Sequence, residues 1–287
     1  MHSNLWVEEK FQDFLGIKFK VEKVLFSGKS DFQTVDVVET KGHGKMLLND
    51  GLIMVTERDE FAYHDMITHL PLFTHPAPKN ILIIGGGDGG TAREVIRHES
   101  VEKCTMVEID AMVIEACKEY LPQTSSALTN KKVNLIIGDG VNFVKETTEK
   151  FDVIIVDSTD PIGPAQPLFG DEFYQDVYNC LSEDGIVVSQ GESSWYAIDI
   201  QKSLLKVLNQ VFPKCFLYSF SNLTYPGGLW CFTFASKKYH PIYDFKKQRV
   251  KDSNLTFNYY NVNIHKSSFA LPNFVINELN GLIDNIN

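Results

Sequence analysis

Hydrophobic and polar positions follow two patterns along the chain, one before and one after about residue 80. Over residues 1–56, short β-branched and apolar runs predict strands, and the NDG sequence at 49–51 predicts a hairpin turn between two of them. Residues 58–73 have apolar positions four apart, which predicts a helix that ends near Pro71. The first part of the chain is therefore predicted to be rich in β-structure and to finish in one helix.

From Asn80 onwards, near-continuous apolar runs alternate with helix-like segments. The predicted strands cover residues 81–84, 104–107, 133–137, 151–156, 185–190, 215–220 and 229–236. Strands of this kind, separated by helices, indicate a parallel sheet that is covered on both faces. A short turn between the last two strands predicts an antiparallel hairpin at the edge of the sheet.

These patterns predict an α/β fold with two parts. The larger part is a Rossmann-like, doubly wound sheet of the class I methyltransferase type, and the smaller one is an N-terminal β-rich domain. The boundary is placed at the proline-punctuated sequence THPAPKN. We therefore expect the β-rich domain and its connecting helix at 1–73 and the Rossmann-like domain at 74–287.

Composition narrows the class of protein. The five cysteines form no CxxC pair and most lie in apolar runs, which favours reduced, buried thiols in a cytoplasmic protein. No apolar run approaches the roughly 20 residues that span a membrane, and no secretory signal is recognisable. The net charge of -10 argues against nucleic acid as a partner and mildly favours a cationic ligand, although solubility alone also explains such a charge.

The sequence IIGGGDGGTARE at 83–94 follows the first strand of the predicted sheet. A glycine-rich turn at this place normally receives a pyrophosphate at the start of a helix. Asp88 lies inside the turn and would repel it, whereas a ligand with an amine would be favoured. S-adenosylmethionine fits in part, because its sulfonium is positive but its tail also carries a carboxylate. Decarboxylated S-adenosylmethionine fits fully.

Acidic residues follow four successive strands of the predicted sheet. They are Asp88, Glu108, Asp139 and Asp157, and Asp160 comes three residues after the last. Because the carboxyl ends of parallel strands meet at one edge, we expect these acids to lie together there. Glu108 is placed to receive the ribose hydroxyls and Asp139 the adenine amine. The alternative, that any one of these acids only caps a turn, stays open.

The pair Asp157 and Asp160 has the spacing to bracket a short diamine, since three extended residues reach at most about 10 Å. One carboxylate would remove a proton from the attacking nitrogen and the other would anchor the far nitrogen. The segment 158–170 that follows is too rich in proline and glycine to form a helix. We expect it to be a lid that is mobile when the site is empty, with an ordinary connection as the alternative.

At these residues the sequence resembles the polyamine aminopropyltransferases, and among them the spermidine synthases. The resemblance extends over nearly the whole chain. It rests on NDGLIMVTERDEFAYHDMI at 49–67, GGGDGG at 85–90, VEID at 107–110, GDG at 138–140, DSTDPIGPA at 157–165, LTYPGG at 223–228 and YYNVNIHKSSFALPNF at 259–274.

The resemblance implies transfer of the aminopropyl group of decarboxylated S-adenosylmethionine to putrescine, which gives spermidine and 5'-methylthioadenosine. It implies a homodimer or homotetramer, no permanently bound cofactor and no metal. Two other readings are an S-adenosylmethionine-dependent N-methyltransferase and a non-catalytic polyamine-binding protein. The amine preference between putrescine, cadaverine and longer amines is left open.

Residue roles follow from the same resemblance. Asp157 would be the catalytic base, and the motif that it begins would hold the diamine. The full amine-binding set would be Tyr63, His64, Asp88, Asp157, Ser158, Thr159, Asp160, Gln190 and Tyr225. The nucleoside would contact Gln33, Asp88, Glu108, Asp139, Gly140 and Pro164. Tyr63 and His64 have a simpler alternative, since aromatic residues on such a helix often serve only in packing.

Overall fold

The computed structural model describes residues 4–11, 13–161, 163–284 and 286, with the backbone alone at positions 163 and 164. Its first sheet is an antiparallel meander in the order β1-β2-β3-β4-β5. The strands are β1 (Trp6–Phe11), β2 (Leu15–Lys29), β3 (Thr34–Thr40), β4 (Gly44–Asn49) and β5 (Leu52–Thr56). The predicted hairpin turn is confirmed, because Asp50 and Gly51 join β4 to β5 with positive φ angles.

Helix α1 (Glu60–Thr74) ends later than the sequence predicts. Pro71 lies inside the helix, so the predicted end near this residue is wrong. Proline has a φ angle that suits a helix, and its cost is the missing N–H. The turn after it is closed by Thr74 Oγ1, which donates to the Leu70 carbonyl over 2.8 Å, and by the His75 N–H, which donates to the Pro71 carbonyl over 2.9 Å.

The second sheet has seven strands within the described residues, in the order β11-β12-β10-β9-β6-β7-β8. The strands are β6 (Asn80–Gly85), β7 (Lys103–Glu108), β8 (Val133–Ile137), β9 (Phe151–Asp157), β10 (Leu181–Gln190), β11 (Lys214–Ser221) and β12 (Leu229–Ser236). Strands β6 to β10 are parallel, and β12 runs antiparallel to both β10 and β11. The predicted parallel sheet with an antiparallel hairpin at one edge is confirmed.

Helices cover both faces of this sheet. They are α2 (Gly90–Ile96), α3 (Ala111–Tyr120), α4 (Pro122–Ser125), α5 (Gly140–Glu146), α6 (Asp171–Cys180), α7 (Ile198–Val211), α8 (Lys247–Asp252), α9 (Val262–Ser267) and α10 (Asn273–Glu278). One buried apolar cluster joins α1 to one face of the sheet, and a second fills the other face under α6 and α7. Within the part of the chain that the structure describes, no helix is both long and apolar enough to cross a membrane.

The N-terminal sheet packs against the start of the larger unit through α3. Val35, Val37 and Leu47 of the meander share a buried cluster with Val113 and Ala116 of the helix. This contact places the meander over the carboxyl edge of the large sheet. Helix α1 packs in the core of the large sheet, and the domain boundary after residue 73 stays a prediction.

Two further expectations concern the cysteines and the segment after β9. All five cysteines are buried and free, as predicted. The sequence predicts a non-helical segment at 158–170, and this is wrong, because Gly163–Phe169 forms a 3-10 helix. Such a short helix bonds residues three apart, so a proline within it removes few hydrogen bonds.

Candidate active site

A cleft at the carboxyl edge of the large sheet, under the N-terminal meander, is strongly acidic. Among the described residues that line it there is neither lysine nor arginine, and the titratable base is His64. Its acidic lining residues are Glu9, Asp59, Glu60, Asp88, Glu108, Asp139, Asp157 and Asp160. Carboxylates that outnumber a single histidine around a cleft without lysine or arginine favour a ligand with more than one positive charge.

The structure brings together the site residues that the sequence predicts. Those lining the cleft are Gln33, Tyr63, His64, Asp88, Glu108, Asp139, Gly140, Asp157, Ser158, Thr159, Asp160, Gln190 and Tyr225. The side chain of Pro164 lies outside the described residues. The predicted meeting of the strand-end acids at one edge is therefore observed, whereas their individual roles stay predictions.

Asp157 ends β9 at the centre of the cleft, and each of its carboxylate oxygens accepts one hydrogen bond. Tyr63 donates to Oδ1 over 2.8 Å and Thr91 donates to Oδ2 over 2.6 Å. Burial raises the pKa of Asp157 above its usual value, and the nearby charge of Asp88 raises it further. His64 and the two hydroxyl donors oppose this shift. Each oxygen keeps a second lone pair for a ligand.

The glycine turn after β6 is shaped around Asp157. Gly85 has φ of +83°, and a Cβ there would lie 2.2 Å from the Asp157 carbonyl oxygen. The Gly86 N–H donates to that same oxygen over 2.8 Å. A side chain at Gly85 would therefore be both strained and in collision with β9. The turn that resembles a phosphate-binding loop serves here to let two strand ends approach, and the approach delivers a carboxylate to the cleft.

Asp88 belongs to a chain of charged groups that links α1 to α2. Its Oδ1 accepts the Gly90 N–H over 2.8 Å and lies 3.3 Å from His64 Nε2. His64 Nδ1 lies 2.5 Å from Glu60 Oε2, and Arg93 donates to both oxygens of Glu60 over 2.9 Å. Burial alone would lower the pKa of His64, but the carboxylates of Asp88 and Glu60 raise it well above 6.5.

Close packing fixes His64 in this series of charged groups. A Cβ on Gly90 would lie 2.2 Å from the His64 ring, so only glycine permits helix α2 to start this close to α1. Burial would raise the pKa of Glu60, but His64 and Arg93 lower it to about 2. Glu60 is therefore ionised at neutral pH, and His64 beside it is an imidazolium.

The part of the cleft where the sequence predicts the nucleoside to bind contains Glu108, Asp139 and Gln33. Glu108 is buried at the end of β7, and burial raises its pKa to about 7. Asp139 caps α5 by accepting the Val141 N–H over 2.8 Å, so the capping alternative holds for this residue without excluding a ligand. The amide of Gln33 donates to Asp110 Oδ2 over 3.0 Å, which ties the meander to the start of α3.

The sequence pattern does not mark two acids at the opposite end, Glu9 in the wall of the cleft and Glu192 behind Asp160. Glu9 of β1 is buried and lines the cleft, and burial raises its pKa to about 7. Glu192 lies behind Asp160, and Gln190 donates to the two carboxyls over 3.1 and 3.2 Å. Burial, and after it the charge of Asp160, raises the pKa of Glu192 to about 9.

The loop that carries Tyr225 is anchored by Asp59, just before α1. Asp59 accepts the Thr224 N–H over 2.9 Å and its hydroxyl over 2.8 Å. Tyr225 donates its hydroxyl to the Met54 carbonyl over 2.5 Å and packs edge-on against Tyr63 at 6.0 Å. Tyr225 thus forms a wall of the cleft, and its hydroxyl hydrogen is already engaged.

Three side chains of the cleft lie close enough together to bind one metal ion. Ligand atoms of His64, Asp88 and Asp157 all lie within 4.8 Å of one another. The His64 nitrogens, however, already contact Glu60 and Asp88. The expectation that the protein needs no metal stays a prediction.

Comparison with known proteins assigns this geometry to a family. A family model described as the spermine/spermidine synthase domain matches residues 60–247, and one described as the spermidine synthase tetramerisation domain matches residues 5–57. The chain belongs to the spermine/spermidine synthase family. Its catalytic class follows, and it is an aminopropyltransferase.

Individual relatives of this family member cover nearly its whole length. A polyamine aminopropyltransferase from Alkaliphilus oremlandii is 48% identical over 94% of this chain and 96% of its own. One from Clostridium beijerinckii is 47% identical over 98% of this chain and 99% of its own. One from Methanocaldococcus jannaschii is 46% identical over 95% of this chain and 94% of its own.

Two solved structures share the fold. A spermidine synthase in complex with the transition-state analogue AdoDATO superposes with a TM-score of 0.95 at 44% identity, over 96% of this chain and 95% of that one. Spermidine synthase from Thermotoga maritima superposes with a TM-score of 0.93 at 44% identity, over 96% of this chain and 94% of that one. The α/β fold with a small N-terminal β-domain is confirmed, and the methyltransferase and non-catalytic alternatives are set aside.

Proposed function

We propose that this aminopropyltransferase is a spermidine synthase, which transfers the aminopropyl group of decarboxylated S-adenosylmethionine to putrescine. The acidic lining of the cleft carries this proposal. Both substrates are polycations without a carboxylate, and eight acids with no lysine or arginine line the cleft among the described residues. A similar spermidine synthase solved with a transition-state analogue supports the same assignment.

Asp157 is the base in this proposal. A protonated amine has no lone pair, so one nitrogen of putrescine must first lose a proton, and Asp157 accepts it. The freed lone pair then attacks the aminopropyl carbon next to the sulfonium. The carbon–sulfur bond breaks, its electron pair goes to sulfur, and neutral 5'-methylthioadenosine leaves. The attacking nitrogen becomes a secondary ammonium and takes over the positive charge that the sulfonium loses, and Asp157 then releases the proton that it accepted to solvent.

The remaining groups hold the two substrates in line. The Glu108 carboxylate accepts the ribose hydroxyls, with Gln33, Asp139 and Gly140 along the nucleoside. Asp88 faces the amine of the aminopropyl arm through its oxygen that does not contact the Gly90 N–H. Fixing both reactants in this way supplies much of the rate by orientation alone.

The far ammonium of putrescine binds at the acidic end of the cleft. Asp160 contacts it in this proposal, and Glu9 and Glu192 add charge close behind. Burial is the main cause of the raised pKa values of all three carboxyls, and repulsion by Asp160 raises those of Glu9 and Glu192 further. A bound ammonium relieves that repulsion, so amine binding and ionisation of these acids reinforce each other.

Turnover with a panel of amines tests the proposal. Diaminopropane, putrescine, cadaverine and spermidine are each offered with decarboxylated S-adenosylmethionine, and the products are measured by mass spectrometry. We expect the highest kcat/KM for putrescine. A higher value for cadaverine or spermidine would contradict the acceptor assignment. Turnover that is unchanged by a chelator is expected, and loss of turnover that added metal restores would contradict the metal-free step.

A further inference from the structure

The hydroxyl of Thr91 is aimed at Asp157 from the glycine turn, and no role proposed so far uses it. Thr91 is fully buried in the first turn of α2, and Oγ1 donates to Asp157 Oδ2 over 2.6 Å. Thr91 follows GGGDGG directly in sequence. The same turn that lets β6 and β9 approach therefore also brings this hydroxyl to the carboxylate.

The direction of this hydroxyl is set by the backbone. A threonine in a helix has two favoured side-chain rotamers, one of which turns the hydroxyl back to a preceding carbonyl. The Thr91 hydroxyl instead donates to Asp157. Since Tyr63 occupies the other oxygen, the carboxylate is held at both ends and cannot rotate without breaking a hydrogen bond to a charged group.

We propose that Thr91 is a positioning residue, which holds the Asp157 carboxylate in the orientation and charge state that accept a proton from the amine. This inference rests on the proposed role of Asp157 as the base. A hydroxyl that donates to a carboxylate favours its ionised form. Thr91 thus acts with the imidazolium of His64 against the effects that favour a protonated Asp157.

Several titratable groups share that environment. Asp88 and Glu108 face Asp157 as further carboxyls and repel its charge, while His64 attracts it. Tyr63 and Tyr225 also face it, and their pKa values are raised well above 10, so both are neutral at working pH. Removal of the Thr91 hydroxyl leaves all of these in place, so a changed pH profile reports on the single lost bond.

Three variants test the inference by kcat, KM and the pH dependence of kcat/KM. Thr91→Val keeps the shape and removes the hydroxyl, and we expect kcat to fall roughly ten- to hundredfold, with little change in nucleoside affinity. The acidic limb of the pH profile of kcat/KM should move to higher pH in this variant. Thr91→Ser restores the donor and should lie within about threefold of the unchanged protein. Thr68→Val is the matched control, because Thr68 is a buried helical threonine whose hydroxyl has no partner among the described residues.

Each result decides one point. Equal kcat and equal pH profiles for Thr91→Val and Thr68→Val would overturn the positioning role. A Thr91→Ser variant as slow as Thr91→Val would overturn it as well, because the methyl group rather than the hydroxyl would then matter. Asp157→Asn is measured in parallel. Full turnover in that variant would remove the base itself, a failure of the proposed function that differs from the failure of Thr91 alone.

Discussion

At the scale of single residues, burial and neighbouring charges set the protonation state of each carboxyl in the cleft. Glu60 has a pKa of about 2 because His64 and Arg93 lie against it, whereas burial raises the pKa of Glu108 to about 7. The same residue type therefore serves as a fixed charge in one place and as a group that responds to ligand in another. This difference decides which substitutions affect catalysis and which affect binding.

Replacing Asp157 with Asn should separate chemistry from binding. The amide cannot accept the proton of the amine, so kcat should fall at least about a hundredfold, the usual scale for a general base. The affinity for 5'-methylthioadenosine, measured by isothermal titration, should change little. Asp252→Asn, an exposed acid on α8, is the control. Turnover near that of the unchanged protein would remove Asp157 from the base role.

Asp88→Asn should weaken the discrimination against S-adenosylmethionine. The present carboxylate repels the carboxylate of that ligand and attracts the ammonium of the decarboxylated form, and such a contact contributes roughly 1–3 kcal/mol. Asparagine can still accept the Gly90 N–H, so the turn should be kept. Affinities for both nucleosides are measured in both proteins. An unchanged ratio would mean that decarboxylation is sensed elsewhere.

Nucleoside affinity should depend on pH through Glu108. Its raised pKa means that, without a ligand, the Glu108 carboxyl is protonated below about pH 7 and ionised above it. The ionised form accepts the ribose hydroxyls better, so affinity for 5'-methylthioadenosine should fall as pH drops below 7 and level off above it. In Glu108→Gln this dependence should be lost and affinity should be weak throughout. A pH dependence that persists in the variant would assign it to another group.

How far the sequence predicts the site depends on distance along the chain. Asp88, Glu108, Asp139 and Asp157 were predictable, because each follows a strand and the ends of parallel strands meet. Glu9 was missed because it lies in another sheet, and nothing local in its strand marks its inward, buried position. Glu192 was missed because its importance comes from contact with Asp160, which only the three-dimensional structure reveals.

At the scale of elements, the alternation of strands and helices was predicted correctly and the ends of elements less well. Pro71 was read as the end of α1, but packing of the buried Leu72 and Phe73 in the core continues the helix beyond it. Local propensity cannot include this tertiary contribution. Likewise, the proline content of 158–170 did not reveal a 3-10 helix whose Ala165 and Leu168 are buried against the sheet.

The segment Ser158–Gly170 should respond to ligands as a lid. It begins directly after Asp157, and Ala165 and Leu168 line the cleft, so bound substrates would contact it. We expect slower hydrogen exchange across this segment with 5'-methylthioadenosine plus diamine than in the free protein, because closure expels water. Helix α3 is the unresponsive control. Equal responses of both, or full protection of the empty lid, would show a static wall.

At the scale of the whole molecule, the N-terminal meander both covers the cleft and presents apolar side chains to the outside. Glu9 of β1 faces the cleft, while Trp6 of the same strand is 47% exposed and Val24 of β2 is 48% exposed. Exposed apolar side chains favour association with another chain where they form a contiguous patch. The match of residues 5–57 to a spermidine synthase tetramerisation domain supports the same role.

We expect this oligomer to be a tetramer that depends on the outer side of the meander. The double variant Trp6→Glu, Val24→Glu places charges where apolar contact is proposed, so it should lower the mass measured by light scattering to that of a smaller species. Ile276→Glu, on α10, is the control, because Ile276 is 45% exposed but lies outside the meander.

Because Glu9 lies on the same strand as Trp6, the double variant should also raise KM for the amine by a larger factor than it changes kcat. If the double variant is still a tetramer, the interface lies elsewhere. If the protein without substitutions is a dimer, the prediction of a tetramer is itself contradicted.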